Sequence, residues 1–171
     1  MNFVIARFDP AIKYAGLNQF DCQLHPVNKF VKDSLKKQVK QGLSVAYVLL
    51  EEGENGSPDR FVGFYTIASH AIALSALSVM QLGSLPKMIP CIRLIMLGIH
   101  CGDAKKGYGS QLMNHAFDVV KNNAQNIGCY GLYLDADAGA VAFYQRLGFL
   151  LLEGDKSPNA SPMFIALSAI L

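Results

Sequence analysis

Runs of apolar residues alternate along this chain with segments in which apolar residues recur at every third or fourth position. The runs predict strands, which in chain order are NFVIARF, SVAYVLLEE, RFVGFYTIASHAIAL, CIRLIMLGIH, YGLYLDAD, FLLLE and PMFIALSAI. The periodic segments predict helices over residues 26–41, 108–127 and 138–147. Turn formers in GENGSPD separate the second and third runs and predict an antiparallel hairpin. The order predicts an α/β (α+β) fold with a mixed central sheet flanked by helices.

The length and composition of the chain limit the number of domains and the kinds of site. With 171 residues, of which 51% are apolar, the chain is long enough for one core, so we expect a single domain over residues 1–171. The four cysteines have no CxxC spacing, which argues against a zinc site or a disulfide scaffold. Reduced cysteines favour a cytoplasmic protein.

Two segments bear on whether the protein enters a membrane. The start, MNFVIARFDP, has no basic region followed by a long apolar run, so we expect no signal peptide. Residues 61–82 approach the ~20 apolar residues that span a bilayer, but glycine, serine and histidine interrupt them. We therefore expect a buried strand followed by an apolar turn or short helix, and no membrane partner.

A glycine-containing segment, GDAKKGYG, joins a predicted strand to a predicted helix at residues 102–109. Such a loop presents free backbone N–H groups at the positive end of the helix dipole, where they can bind a phosphate. Lys105 and Lys106 add positive charge. Gly107 and Gly109 fit neither the P-loop nor GxGxxG, so a tight turn into a helix is an equally good interpretation.

Two sequence blocks, LGIHCGDAKKGYGSQLMNHAF and LYLDADAGAVAFYQRLGF, resemble the motifs of the GNAT acetyltransferases. In that family a strand, a Q/R-x-x-G-x-G/A loop and a helix bind the pyrophosphate of acetyl-CoA, and N-x-x-A-x-x-F-Y-x-x-x-G-F marks the second block. The chain departs from the pattern with Ala104 at the Gln or Arg position and Asp137 at the Asn position. The resemblance implies a GNAT fold, acetyl-CoA as acetyl donor and no metal. The residues it implies bind the donor are Leu97, Gly98, Ile99, Lys105, Lys106, Gly107, Tyr108, Gly109, Ser110, Asp137 and Phe143.

Further blocks resemble a narrower group, the GNAT-type toxins of bacterial type II toxin–antitoxin operons. These blocks are FDCQLHPVNKFVKDSL, GFYTIAS, LPKMIPCIRLIMLGIH and SPMFIAL, and they span nearly the whole chain. The resemblance implies that the protein acetylates the α-amino group of the amino acid on a charged tRNA and so blocks translation. It also implies a ribbon-helix-helix antitoxin as partner and a homodimer. A mean hydropathy of +0.25, which is high for a small monomer, also favours a dimer.

The chemistry of acetyl transfer suggests one catalytic residue. A neutral amine attacks the thioester and the departing thiolate needs a proton, so no covalent enzyme intermediate is required. A tyrosine with a pKa of ~10 stays protonated near neutral pH and can supply that proton. Tyr144, in the segment FYQRLGF, matches the family position, and we expect it to be the general acid. The alternative is a core tyrosine that packs beside Phe143.

Lysines on the predicted helix over residues 26–41 form a candidate RNA-binding surface. The net charge of the chain is only +2, so any case for nucleic acid depends on such local clustering. Four lysines follow the helical step on the face opposite the apolar residues, and Arg93 is a weaker candidate. The four are Lys29, Lys32, Lys36 and Lys40. They could neutralise phosphates, but a solvated helix face is at least as good an interpretation.

Two other functions fit the same residues. One is a GNAT that acetylates a small amine or a protein N-terminus, for which the lysines are incidental. The other is a non-catalytic acyl-CoA-binding or antitoxin-bound module, which the absence of Gln or Arg at Ala104 would allow. Tyr144→Phe distinguishes an enzyme from a binding module, and growth arrest on expression distinguishes a toxin from a housekeeping enzyme.

Overall fold

A computed structural model describes residues 2–170 of the chain. These residues form two compact units. The first unit contains the chain up to Ala68 together with Met96–Ala116, and the second contains Ser69–Ile95 and the chain from Phe117 onward. The boundaries at residues 68–69 and 95–96 fall within strands, so each of these two strands has one part in each unit.

The elements follow the predicted order closely. The strands are β1 (Phe3–Arg7), β2 (Val45–Glu51), β3 (Arg60–Ala73), β4 (Met88–Ile99), β5 (Gly131–Ala136), β6 (Leu150–Leu151) and β7 (Ser161–Ala166). The helices are α1 (His25–Asp33), α2 (Leu35–Lys40), α3 (Tyr108–Asn123) and α4 (Val141–Arg146). Short 3-10 turns occupy Leu17–Gln19, Leu74–Met80, Cys101–Asp103, Ala138–Ala140 and Leu167–Ala169.

The strand pairing confirms the predicted mixed sheet. Hydrogen bonds join the strands in the order β1-β2-β3-β4-β5-β7-β6. In the first unit β1, β2 and β3 are antiparallel, with the predicted hairpin between β2 and β3. In the second unit β4 and β5 run parallel, whereas β7 is antiparallel to both β5 and β6.

The helix predicted over residues 26–41 is wrong in one respect, because the structure has two helices there. Ser34 separates α1 from α2 and leaves the helical region, with φ −126° and ψ −31°. Serine is a weak residue in helix interiors because its hydroxyl competes for nearby backbone groups. The break still lets both helices bury apolar side chains, including Phe30 and Val31 from α1 and Leu35 from α2.

Several other predicted ends are shifted. The helix predicted to residue 127 ends at Asn123, and the strand predicted for FLLLE is reduced to Leu150–Leu151. The apolar segment 61–82 divides into strand β3 and the 3-10 turn Leu74–Met80, as expected. Across residues 2–170, none of the helices has the length and apolar character needed to cross a membrane.

An aromatic cluster forms the core of the first unit. The ring of Phe20 packs edge-on against those of Phe61 and Phe64, with centroids 5.3 and 5.7 Å away, and Phe30 of α1 stacks on Phe64. These contacts place α1 against β3 and the segment that contains Phe20. The end of β4 belongs to the same unit, so this core also fixes the strand from which the glycine-containing segment departs.

Candidate active site

The end of strand β4 contains the three residues predicted to hold the pantetheine arm, Leu97, Gly98 and Ile99. Gly98 is buried, and a Cβ atom there would lie 2.9 Å from Cγ1 of Val27 and 3.3 Å from the ring of Phe20. A side chain at this position would collide with helix α1. Glycine at position 98 therefore allows α1 to pack directly over the backbone of β4. The three residues predicted to hold the pantetheine arm lie at this close contact.

The chain beyond β4 is tied to the segment before α1 by one backbone hydrogen bond and one bond to a side chain. The N–H of Cys101 donates to the carbonyl oxygen of Asp21 at 2.7 Å, and the N–H of Asp21 donates to Nδ1 of His100 at 3.2 Å. The N–H of His100 donates to the carbonyl of Val62 in β3 at 2.8 Å. These bonds fix the direction in which the chain leaves the sheet.

The glycine loop, defined here as residues 104–109, contains two left-handed residues and leads directly into helix α3. Two of its residues have left-handed backbone angles, Lys105 with φ 62° and Gly107 with φ 81°. Helix α3 begins at Tyr108, and its first backbone bond runs from the N–H of Gln111 to the carbonyl of Gly107 at 3.2 Å. The N–H groups of the first helical turn have no carbonyl of their own helix as a partner, so they are free to donate hydrogen bonds to an anion.

The side chains of the glycine loop are on the surface. Lys105, Lys106 and Gly107 are exposed, whereas Tyr108, Gly109 and Ser110 are partly buried. The ring of Tyr108 lies 5.2 Å from that of Phe3 in β1, which anchors the start of α3. The loop residues predicted to bind the donor are therefore consecutive in the first unit, with 105–107 before helix α3 and 108–109 at its start.

An ion-pair cluster lies immediately before the glycine loop, and sequence reasoning did not find it. The guanidinium of Arg60 binds both carboxylate oxygens of Asp103, with Nη1–Oδ2 and Nη2–Oδ1 distances of 2.9 and 3.1 Å. Its Nη2 also donates to Oε2 of Glu51 at 2.6 Å. The side chain of Asp103 is only 6% exposed. The hydrogen bonds from Arg60 lower the pKa of the Asp103 carboxyl, and the carboxylates in turn raise the pKa of Arg60.

Lys106 takes part in the same cluster. Its Nζ lies 3.8 Å from Oδ1 of Asp103, so its charge is partly balanced at the base of the loop. Lys105 extends from the loop without a charge partner among the ion pairs found in residues 2–170. Lys105 therefore fits the prediction of added positive charge at this loop better than Lys106 does.

The part of helix α3 that belongs to the first unit is held by a partly buried polar contact. The hydroxyl of Tyr65, which is fully buried in β3, lies 2.7 Å from Nδ1 of His115 on α3. The ring of Tyr47 in β2 lies 4.9 Å from the His115 ring. These contacts fix α3 against the antiparallel strands and so fix the position of the amides at its start.

In the second unit, the predicted general acid Tyr144 lies on α4 and is 7% exposed. Its ring packs edge-on against Phe149 with centroids 5.5 Å apart, and Phe149 stacks on Phe117 of α3 at 6.0 Å. The ring of Phe143, a predicted donor-binding residue, lies 5.0 Å from that of Tyr144. Burial raises the pKa of the Tyr144 hydroxyl, and the charge of Asp137 raises it further.

The turn after α4 explains the glycine of the FYQRLGF segment. Gly148 has φ 104°, a backbone conformation that favours glycine. The N–H groups of Leu147 and Phe149 both donate to the carbonyl of Tyr144, at 3.0 and 3.1 Å. The reversal at Gly148 returns Phe149 to the ring of Tyr144, so the motif encodes both the tyrosine and its packing partner.

Asp137 stands at the junction of β5 and the turn before α4. It is exposed, and its carbonyl accepts the N–H of Ala140 at 2.8 Å. The carboxyl is close enough to Tyr144 to favour the protonated hydroxyl through its charge. At the position where the resemblance implies Asn, this chain therefore has a charged side chain.

The candidate RNA-binding lysines are exposed but belong to two helices. Lys29, Lys32 and Lys36 line a groove of about 650 Å³ together with Asn28 and Asp33. Lys40 lines a neighbouring depression of about 420 Å³ that it shares with Lys32 and Lys36. Lys29 is paired with Asp33, its Nζ lying 2.9 Å from Oδ2. Because Lys32 and Lys36 line both depressions, the basic face continues from α1 to α2 across the break at Ser34.

Arg93 is in a different environment from the lysines. It lies on β4 in the second unit, where its Nη2 is 3.1 Å from Oδ2 of Asp135. Its guanidinium carbon lies 5.9 Å from the centre of the Tyr133 ring, and the hydroxyl of Tyr133 donates to Asp135 at 2.9 Å. The charge of Arg93 is therefore already engaged by neighbours on the sheet.

The structure places the predicted donor-binding and catalytic residues in two groups. The end of β4 and the glycine loop belong to the first unit, whereas Asp137, Phe143 and Tyr144 belong to the second. The sequence did not reveal the contacts of Arg60 and Glu51, because both residues lie far along the chain from Asp103. The one available signal was an acidic residue, Asp103, next to a basic glycine loop. Within residues 2–170, no group of three or more His, Cys, Asp or Glu side chains could hold a metal ion.

Comparisons with solved structures support a toxin-like fold. The chain matches a structure described as a bacterial toxin with 33% identity and a TM-score of 0.90, covering 98% of this chain and 92% of that one. It matches the toxin AtaT complexed with acetyl-methionyl-tRNAfMet with 27% identity, a TM-score of 0.83 and coverage of 98% and 96%. It matches an AtaT Y144F mutant, bound to the C-terminus of the antitoxin AtaR and acetyl-CoA, with 26% identity, a TM-score of 0.78 and coverage of 97% and 94%.

The sequence was also compared with curated proteins and with family models. No curated protein matches it. The model of the acetyltransferase (GNAT) family matches residues 45–149, a segment that begins at β2 and ends just after α4. This segment contains the end of β4, the glycine loop and Tyr144, and it is more than half of the chain. The chain therefore belongs to the acetyltransferase (GNAT) family.

Proposed function

We propose that the protein is a toxin that transfers the acetyl group of acetyl-CoA to the α-amino group of aminoacyl-tRNA and so blocks translation. The observation that carries this proposal is the match, over 98% of the chain, to AtaT complexed with acetyl-methionyl-tRNAfMet. Membership of the acetyltransferase family, which was predicted from the sequence, supports the reaction type.

The glycine loop is proposed to bind the pyrophosphate of acetyl-CoA. The left-handed backbone at Lys105 and Gly107 leads into α3, where first-turn N–H groups can bind phosphate oxygens. Lys105 adds an exposed positive charge. The backbone of Leu97, Gly98 and Ile99 is proposed to hold the pantetheine arm, which has amide groups that can pair with a strand.

Tyr144 is proposed to act as general acid. Acetyl-CoA supplies an activated thioester, the α-amine attacks its carbonyl carbon, and the carbon–sulfur bond breaks. Tyr144 donates its hydroxyl proton to the departing sulfur, the nitrogen loses a proton to solvent as the amide forms, and the tyrosinate then regains a proton from solvent. Burial and the charge of Asp137 both raise the pKa of Tyr144, so the hydroxyl stays protonated at neutral pH.

The basic groove of α1 and α2 is proposed to contact the tRNA backbone. Lys32 and Lys36 line both depressions on this face, and neither is part of an ion pair found in residues 2–170. Lys29 is tied to Asp33 and Arg93 to Asp135, so we rank these two below the others. Phosphate contacts of this kind make binding weaker as salt rises.

The partners of the protein follow from the same proposal. A toxin of this kind needs an antitoxin, which we propose to be of the ribbon-helix-helix type, and a cytoplasmic site of action. The match to AtaT bound to the C-terminus of AtaR supports an antitoxin partner. A homodimer is proposed because the second unit exposes large apolar side chains, among them Val79, Met88 and Ile127.

The experiment that tests the proposed function is transfer of labelled acetyl from acetyl-CoA to a pool of charged tRNAs. The same tRNAs stripped of their amino acids serve as the first control, because they lack the α-amine. Tyr144→Phe serves as the second control. We expect label on charged tRNA with the wild type alone, and growth arrest when the wild type is expressed.

The results would distinguish the proposed function from the other two. Label on small amines or peptides but not on charged tRNA would contradict the tRNA substrate and leave the enzyme a GNAT of another specificity. Tight binding of acetyl-CoA without any transfer would contradict catalysis. Failure to bind acetyl-CoA would contradict the assignment of the glycine loop as well.

A further inference from the structure

We infer that Arg60 and Asp103 are a positioning pair that holds the glycine loop in the shape required by the phosphates of the acetyl donor. The inference rests on the proposed function, because it assumes that this loop binds the donor. It goes further by assigning a role to two residues outside the family motifs. Arg60 also lies 43 positions from Asp103 along the chain.

The geometry of the pair is that of a rigid clamp. Each terminal nitrogen of Arg60 donates to a different carboxylate oxygen of Asp103, Nη1 to Oδ2 at 2.9 Å and Nη2 to Oδ1 at 3.1 Å. Such paired hydrogen bonds fix the plane of the carboxylate as well as its distance. The Asp103 side chain is 6% exposed and that of Arg60 is 36% exposed, so solvent reaches the pair mainly from the arginine side. A buried carboxylate without this partner would be costly, which keeps the pair closed.

Each residue of the pair is also held by neighbouring backbone or side-chain groups. Arg60 begins β3, is bridged to Ala15, and donates a further hydrogen bond to Glu51 at 2.6 Å. Asp103 ends the 3-10 turn that begins at Cys101, and the next residue, Ala104, is the first of the glycine loop. The clamp therefore connects the antiparallel strands to the residue that immediately precedes the loop. The loop itself is held at its other end by α3.

The charges of the cluster show that its role is geometric. Arg60 and Lys106 are positive, Glu51 and Asp103 are negative, and the four charges cancel. Asp103 also places a negative charge 3.8 Å from the ammonium of Lys106, next to the proposed phosphate site. By Coulomb's law alone, Asp103 opposes the binding of an anionic donor. A negative side chain at this position is therefore explained by its effect on the shape of the glycine loop.

Asp103→Asn separates the two effects because they have opposite signs. The change keeps the size of the side chain but removes its negative charge and one acceptor of the paired hydrogen bonds. If charge alone mattered, the dissociation constant of acetyl-CoA would fall. If the pair positions the loop, the constant rises, by about tenfold for each ~1.4 kcal/mol of binding free energy that is lost. Calorimetric titration with acetyl-CoA measures this constant directly.

Asp135→Asn is the matched control. It makes the same substitution in an Arg–Asp pair, that of Arg93 and Asp135, in which the two side chains are 40% and 35% exposed. We expect its dissociation constant for acetyl-CoA to equal that of the wild type. Arg60→Lys is the second test, since lysine keeps the charge but cannot make the paired bonds. It should also weaken the binding of acetyl-CoA.

A truncated donor distinguishes positioning of the loop from general damage to the fold. S-acetyl-pantetheine has the thioester and the pantetheine arm but lacks the nucleotide and its phosphates. We expect Asp103→Asn to raise KM for acetyl-CoA and to leave kcat/KM for S-acetyl-pantetheine within about twofold of wild type. Equal losses with both donors, or unchanged or tighter binding of acetyl-CoA, would overturn the inference. Failure of the wild type to bind acetyl-CoA would instead contradict the proposed function.

Discussion

The glycine loop of the first unit and helix α4 of the second unit are placed by different forces. The loop follows an ion-pair cluster in which Arg60 clamps Asp103, and the first four loop residues, 104–107, are exposed. Tyr144 on α4 is placed by aromatic packing against Phe143 and Phe149. Ion pairs depend on pH and on the exact geometry of the partners, whereas ring packing depends on volume. The difference predicts that the two regions fail separately and under different changes.

The largest expected effect is the loss of catalysis in Tyr144→Phe. The variant keeps the ring that packs against Phe149 but lacks the proton that the leaving sulfur needs. We expect kcat to fall about 10²- to 10⁴-fold, the usual contribution of a general acid. The dissociation constant of acetyl-CoA should stay unchanged, because the glycine loop is intact. Steady-state kinetics together with calorimetric titration would check both, and a wild-type kcat in the variant would refute the assigned role.

The next effect is on stability and comes from Phe149→Ala. Phe149 is 2% exposed and contacts the rings of both Tyr144 and Phe117. Removing a buried phenyl ring costs about 3–5 kcal/mol in the free energy of unfolding. Leu150→Ala, at an exposed neighbouring position, should change it by less than about 0.5 kcal/mol. Urea unfolding measures both, and similar values for the two variants would contradict the packing account of α4.

Gly107→Ala tests the backbone of the glycine loop. A Cβ at Gly107 would meet no atom within 4 Å, so the substitution acts through its φ of 81° alone. A left-handed backbone costs a residue with a side chain about 1–2 kcal/mol. We expect the free energy of unfolding to fall by about that amount. Gly139→Ala, also in open space but without a positive φ, is the control and should change stability by about 0.5 kcal/mol or less.

The smallest effect is a pH dependence that comes from Asp103. Arg60 lowers the pKa of Asp103, with smaller contributions from the charges of Lys106 and His100. A carboxyl whose pKa is lower in the folded state adds stability above its unfolded pKa of ~3.9 and loses it as the pH falls through the folded pKa. The stability advantage of the wild type over Asp103→Asn should therefore be constant from pH 7 to about 5 and shrink below about pH 4. An advantage that grows with acidity would show that the sign is wrong.

The sequence was sufficient to predict the order of elements, the mixed sheet and the family, because these follow from hydrophobic periodicity and local motifs. It also predicted that Tyr144 belongs to a short helix followed by a glycine turn, and Gly148 has the positive φ that this requires. The single helix over residues 26–41 was wrong because the apolar spacing does not show the break at Ser34. Whether residues 1–171 act as one domain, and which residues bind the donor, remain predictions.

The cluster at the base of the glycine loop could not be predicted, for a physical reason. Arg60 and Asp103 are brought together by the pairing of strands and by the core, and neither has a spacing along the chain that marks a partner. The same holds for Tyr65 and His115, which meet across 50 positions. Contacts of this range depend on the whole fold, so a motif can reveal the loop but not what holds it.

The most direct test of this division between the two regions is one experiment on Asp103→Asn and Tyr144→Phe, with binding and chemistry measured separately. Calorimetry gives the dissociation constant of acetyl-CoA, and a single-turnover assay at saturating donor gives the rate of acetyl transfer to charged tRNA. We expect weaker binding with a near-normal rate for Asp103→Asn, and normal binding with a rate at least about a hundredfold lower for Tyr144→Phe. If both variants lose binding and rate together, the two regions do not act separately and the account is contradicted.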